Sequence, residues 1–110
     1  MDFHTEQVGD IMVIELPVKN LDVSNSQEFK RDISSLLEAN SKVIFDMANL
    51  GFVDSSGCGA ILSCLKKIKG KRGELKICGL QDRVSDLLKL MRLERVFDIK
   101  TTKEDAINAF

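Results

Sequence analysis

Tryptophan and tyrosine are absent from this chain of 110 residues, and histidine and proline occur once each. Without Trp or Tyr there is no platform of the kind on which unpaired bases stack. Sixteen Lys and Arg against seventeen Asp and Glu leave a net charge of −1, so no global field draws the chain to nucleic acid or to an anionic membrane. No apolar run approaches membrane-spanning length, and the opening "MDFHTEQVGD" carries acidic residues where a signal peptide needs a basic region followed by an apolar one. Three cysteines, Cys58, Cys64 and Cys78, form no Cys-x-x-Cys pair; their odd number argues against a disulfide framework and their spacing against a structural zinc site. A reducing cytoplasm is the expected location. The lone His4 sits near the N-terminus, where it reads as a solvent-facing strand residue rather than a catalytic base.

What is present is the patterning of one α/β domain over 1–110. Residues 3–7 and 11–16 read as strands joined at Gly9-Asp10, a pair that favours an antiparallel hairpin, and Pro17 ends the second. From Ser24 or Asn25, either of which can cap, Phe29, Ile33, Leu36 and Leu37 recur at helical spacing as far as Asn40. "KVIFDM" (42–47) is a continuous apolar run of strand length and is expected at the centre of a sheet. Cys58, Ile61, Leu62, Leu65 and Ile68 mark a second helix that stops at Gly70–Gly73, and "ELKICGL" (74–80) is a strand. A third helix over 82–92, a short strand "RVFDI", and a last helix capped near Thr102 complete the order ββαβαβαβα. Repeated strand–helix–strand steps demand parallel neighbours. The expected fold is therefore a mixed sheet of about five strands, one of them antiparallel, layered with about four helices.

One loop concentrates polar and small residues: "GFVDSSGCG" (51–59), between the central strand and the second helix, at the carboxyl end of a strand, where α/β sheets place their ligands. A hydrolase elbow is excluded, because Val53 and Asp54 stand where Gly-x-Ser-x-Gly needs its first glycine. A phosphate-binding loop is also disfavoured, since Gly57 is followed by Cys58 rather than by Lys-Ser/Thr. Cys58 belongs to the apolar stripe of its helix and reads as core, the alternative being a thiol activated at the helix N-terminus. Lys66, Lys67, Lys69, Lys71 and Arg72 lie opposite that stripe and read as solvated surface complementing the helix dipole. What remains is a serine displayed at a helix start, beside glycines (Gly57 and Gly59) that do not obstruct an approaching molecule, with no catalytic machinery around it. Such a serine suits a role as a substrate: phosphorylation would add roughly −1.5 to −2 charges there.

The segment "VIFDMANLGFVDSSGCGAILSCLKKIKGKRGELKICGL" closely resembles the bacterial anti-sigma factor antagonists of the STAS (sulfate transporter and anti-sigma factor antagonist) family, chiefly through Asp-Ser-Ser-Gly-x-Gly after Phe52-Val53. That resemblance implies a regulatory protein, with no cofactor and no catalytic residue, that binds an anti-sigma factor with serine-kinase activity. Phosphorylation by that kinase ejects it and a PP2C-type phosphatase restores it. By motif position the resemblance makes Ser55 the phosphoacceptor, with Asp54 positioning its hydroxyl and the neighbouring backbone, Ser56 capping the helix, and Gly57 and Gly59 clearing the docking surface. It also points to Asp22 in "NLDVSNS" as a second acidic landmark at the same rim, the alternative being an ordinary aspartate of a helix cap region. The chain departs from the family in "LPVKNLD", with Pro17 where Gly-x-Leu-Asp is usual, and in Cys58, where Leu is frequent. The other role compatible with this fold is that of a STAS scaffold or accessory subunit in a signalling or lipid-transport complex.

Overall fold

The computed structural model describes residues Met1–Phe110. Strand β1 (His4–Val8) turns at Gly9, whose φ of +61° suits a residue without Cβ, and pairs antiparallel with β2 (Ile11–Glu15) from His4↔Glu15 to Val8↔Ile11. From there every pairing is parallel: β2 with β4 (Lys42–Asp46), β4 with β6 (Glu74–Cys78), and β6 with β7 (Asp98–Lys100). The spatial order β1-β2-β4-β6-β7 puts "KVIFD" in the middle, as its apolar run requires.

The strands alternate between two unequal layers. Met12, Ile14, Val43, Phe45, Leu75 and Ile77 face the main core, which they share with helices α1 (Ser26–Ala39) and α2 (Ser55–Gly70). Phe3, Phe29 and Phe45 stack edge to face there, with ring centroids 5.9 and 6.3 Å apart. Full burial of each aliphatic or aromatic side chain is worth about 1.5–3 kcal/mol, so this layer carries most of the stability. The alternate residues Ile11, Val13, Ile44 and Cys78 face the other way and are covered by Ala106 of the short helix α4 (Lys103–Asn108), with Ile107 and Phe110 beside it. Thr102 caps that helix by accepting from the Asp105 amide at 3.0 Å, as its sequence suggests. Among the charged residues of this second face, Lys76 is 8% exposed; it donates to Asp98 at 2.5 Å and lies 4.8 Å from the centre of the Phe110 ring.

Three features differ from the sequence expectation. A second, two-stranded parallel sheet links β3 (Asn20–Leu21) to β5 (Phe52–Val53), so the "GFVDSSGCG" segment is a strand and a helical turn with one linking residue, rather than a loop. Helix α3 (Asp82–Leu90) ends earlier than 92: Met91 is its C-cap and Arg92, beyond it, is left-handed with φ of +57°. Finally, "RVFDI" is a strand only from Asp98: residues 93–97 form a turn in which the Val96 and Phe97 amides donate to Leu93, because burial of Phe97 in the main core holds the chain in a bend.

Candidate functional site

The carboxyl ends of β4 and β6 open onto a rim formed by the β3–α1 turn, the start of α2 and the start of α3. Asp54 organises it. As the N-cap of α2, its carboxylate accepts the Gly57 amide at 2.8 Å, which satisfies one of the amides that a helix start leaves unpaired. The second carboxylate oxygen accepts the Val23 amide at 3.1 Å, across 31 residues of sequence. One side chain therefore pins the turn after β3 to the first turn of α2. Ser56, expected to cap, is instead the second residue of the helix and half-buried; Asp54 has taken that role because it alone has the extended backbone of a cap residue.

Ser55 is the first helical residue and is exposed. Its hydroxyl stands where the helix macrodipole is positive, so an added anion would be stabilised by about 0.3–1 kcal/mol at low ionic strength. The two glycines serve different purposes. A Cβ on Gly57 would lie 1.9 Å from the carbonyl oxygen of Leu21 and 2.7 Å from its carbonyl carbon, so Gly57 is an internal requirement: it lets α2 press against β3. A Cβ on Gly59 would meet nothing within 4 Å. Gly59 is exposed one turn beyond Ser55, at the i+4 position, and keeps the face beside the hydroxyl low.

Asp22 lies at the same rim but turns inward to its own loop. Its carboxylate accepts the Ser24 amide at 2.9 Å and the Ser24 hydroxyl at 2.5 Å. Asn25 accepts the Asp22 amide at 2.9 Å and donates to the Asn20 carbonyl at 2.8 Å, which explains why this N-cap residue of α1 makes no side-chain cap bond. The product of this wiring is Val23, held at the tip of the turn with 75% of its surface exposed. The structure thus brings Asp22, Asp54, Ser55, Ser56, Gly57 and Gly59 to one rim, with Asp22, Asp54 and Gly57 engaged in building it.

Sequence reasoning missed the groove beside these residues. Lys19, Asn49, Phe52, Gln81 and Arg83 line a cavity of about 550 Å³, in which the Arg83 guanidinium lies 5.0 Å from the centre of the Phe52 ring and Gln81 donates to the Ala48 carbonyl at 2.7 Å. These residues come from three separate segments, and only their common position after β2, β4 and β6 could have linked them. No group of three His, Cys, Asp or Glu side chains is arranged to hold a metal ion. His4 is an exposed residue of edge strand β1, 3.8 Å from Glu15 on the α4 side of the sheet, and makes no hydrogen bond to either serine.

All three thiols are buried, and their surroundings favour the protonated form. Burial first, then the charge of Asp54, raises the Cys58 thiol above its ordinary value. Burial pushes Cys64 up to about 12 and Cys78 to about 11. A helix start that should activate Cys58 is overruled by desolvation and by the carboxylate capping that same helix.

Comparison with known proteins agrees with this geometry. The STAS domain profile matches residues 2–106, and the chain belongs to the STAS domain family. Its relatives include the anti-sigma-B factor antagonist of Bacillus subtilis, 23% identical over 87 residues, covering 79% of this chain and 80% of the relative. A crystal structure from Thermotoga maritima, of a protein assigned as an anti-sigma factor antagonist, superposes with a TM-score of 0.88 at 25% identity, covering 97% of this chain and 92% of the other. The phosphorylated form of the Bacillus protein SpoIIAA shares the fold with a TM-score of 0.69 at 23% identity, over 98% of each chain. No helix is long and apolar enough to cross a membrane.

Proposed function

We propose that this chain is an anti-sigma factor antagonist that works by partner switching, with Ser55 as the phosphoacceptor. The observation that carries the reading is the division of labour at the start of α2. Asp54 and Gly57 are committed to the fold, whereas Ser55 is exposed and free of that duty. In the unmodified state, an anti-sigma factor with serine-kinase activity docks on Ser55, Ser56, Gly59 and the tip of the β3–α1 turn, and releases its sigma factor. Phosphoryl transfer to Ser55 places a dianion on that interface, adjacent to Asp54. The helix tolerates it; a docked surface must bury it, at a cost of several kcal/mol. Because about 1.4 kcal/mol is tenfold in affinity, even 4 kcal/mol would weaken docking nearly a thousandfold. A PP2C-type phosphatase resets the switch. A STAS scaffold can carry the group, since SpoIIAA has been solved in a phosphorylated form. The three free, buried cysteines suit a cytoplasmic location.

This reading gives the chain no catalytic role, and the raised Cys58 thiol supports that. The test is incubation with its cognate anti-sigma kinase and ATP. One phosphate is expected, on Ser55, and none on Ser55→Ala. Ser55→Glu is expected to keep the wild-type melting temperature and lose kinase binding. Equal labelling of Ser55→Ala, or a destabilised Ser55→Glu that still binds, would reverse the assignment.

A further inference from the structure

The far end of α3 carries a second surface, remote from Ser55. Helix α3 follows β6 and leads into β7, which runs parallel to β6, so the helix must return toward the amino-terminal edge of the sheet. Its nine residues span about 13 Å. Its start belongs to the rim, through Gln81 and Arg83. Its end does not.

There, Lys89, Arg92, Glu94 and Arg95 line a cavity of about 340 Å³. None of the three cations forms an ion pair, and the one carboxylate among them, Glu94, lies beyond ion-pair distance of each. One oxygen of Glu94 is shielded from solvent and accepts no hydrogen bond, which is a costly state for a carboxylate. Beside the cavity stand Leu90, 80% exposed, and Val96, 42% exposed, two of the three large apolar side chains that the protein displays to solvent. The site is therefore short of anions and flanked by uncovered apolar surface.

We infer that this end of α3 is a docking site for an acidic segment of a partner protein, in which side-chain carboxylates meet Lys89, Arg92 and Arg95 and an apolar residue covers Leu90 and Val96. A protein segment supplies both kinds of group at once. Free phosphate supplies only the first and would be repelled by Glu94. An anionic bilayer is a poorer match, because it presents a flat surface to a concave cavity, and three cations at about 1 kcal/mol each fall short of the clusters of roughly four to eight that recruit proteins to membranes. The inference stands apart from the Ser55 reading: this contact is indifferent to phosphorylation.

The experiment is an amide-resolved NMR titration of the full chain with three probes: a Glu-rich peptide containing one central Leu, inorganic phosphate, and vesicles of phosphatidylglycerol and phosphatidylcholine. The peptide is expected to shift the amides of residues 89–96 and to lose affinity on raising salt from about 0.05 to about 0.5 M, where exposed pairs are screened. Lys89→Glu with Arg95→Glu should weaken it at least about tenfold, the sum expected for a few exposed ion pairs reversed in sign. Leu90→Ala removes an exposed side chain, cannot disturb the core, and should weaken binding several-fold. Ser55→Glu should bind like the wild type. The inference is overturned if the peptide leaves residues 89–96 unshifted, if phosphate or vesicles shift them as strongly, or if Leu90→Ala and the charge reversal both bind as the wild type does.

Discussion

The two glycines of α2 offer the sharpest test of how this site is built, because one substitution applied two residues apart should give opposite results. In Gly57→Ala the new Cβ would stand 1.9 Å from the Leu21 carbonyl oxygen, a backbone atom that cannot swing aside as a side chain can. Relief requires β3 and α2 to separate by about 1 Å, an overpacking cost of about 1–3 kcal/mol. That movement also pulls apart the Val23 amide and Asp54, and the Asp54 amide and Leu21, which are hydrogen bonds of 3.1 and 3.3 Å. At about 1 kcal/mol each, they bring the expected loss to roughly 3 kcal/mol, a fall of roughly 10 °C or more in melting temperature. Gly59→Ala meets open space and exchanges a poor helix former for the best one, so it should stabilise by up to about 1 kcal/mol. Urea titration of both variants against the wild type measures the difference directly. Gly59→Arg then separates folding from docking: it should unfold like the wild type while failing to bind the partner kinase. If Gly57→Ala unfolds within about 0.5 kcal/mol of the wild type, the close approach of α2 to β3 is not what holds the rim together.

The remaining expectations concern Asp54, the thiols and the second face of the sheet. Asp54→Ala should cost about 2 kcal/mol, one for the helix cap and one for the tether to Val23, whereas Asp54→Asn, which can still cap, should lose less; equal losses in urea titration would mean that the cap contributes nothing. With Cys78 pushed up to about 11 and Cys64 to about 12, native protein at about pH 8 should show almost no colour with a disulfide reagent over minutes, while unfolded protein releases all three thiols; one fast equivalent from the native state would contradict the burial of Cys58. The hydrogen bond from Lys76, followed by that from Lys100, holds the Asp98 carboxyl below its ordinary 3.8. Its contribution is present in full above that ordinary value and is lost as pH falls through the lower folded one. Asp98→Asn should therefore lower the melting temperature near neutral pH, with the gap to wild type closing below about pH 4; a gap independent of pH would assign the effect to packing.

Much of this molecule is legible in local pattern. The strand-length apolar runs at 11–16 and 42–47, and the helical stripes through Phe29, Ile33 and Leu37 and through Cys58, Ile61 and Leu65, are patterns within a few residues, and the observed elements follow them closely. Local pattern marked a serine displayed at a helix start, and the family resemblance of Asp-Ser-Ser-Gly-x-Gly pointed to Ser55. The strand expected at "RVFDI" begins only at Asp98, for the converse reason: Val96 and Phe97 are strand-forming residues, but only the position of the core decides that Phe97 turns inward from a bend. Ser56 lost the cap to Asp54 because capping depends on the backbone angle of one residue, which composition does not reveal.

By itself, then, the order of residues determined the elements, the central place of 42–47 and the serine that stands at the rim, because each is a matter of spacing along one stretch of chain. Only the tertiary structure decided what Asp54 holds, why Gly57 has no side chain, and which residues line the groove and the end of α3. Those depend on the approach of segments some 31 residues apart, such as Val23 to Asp54, and the free energy of such contacts comes from the folded packing rather than from any local preference.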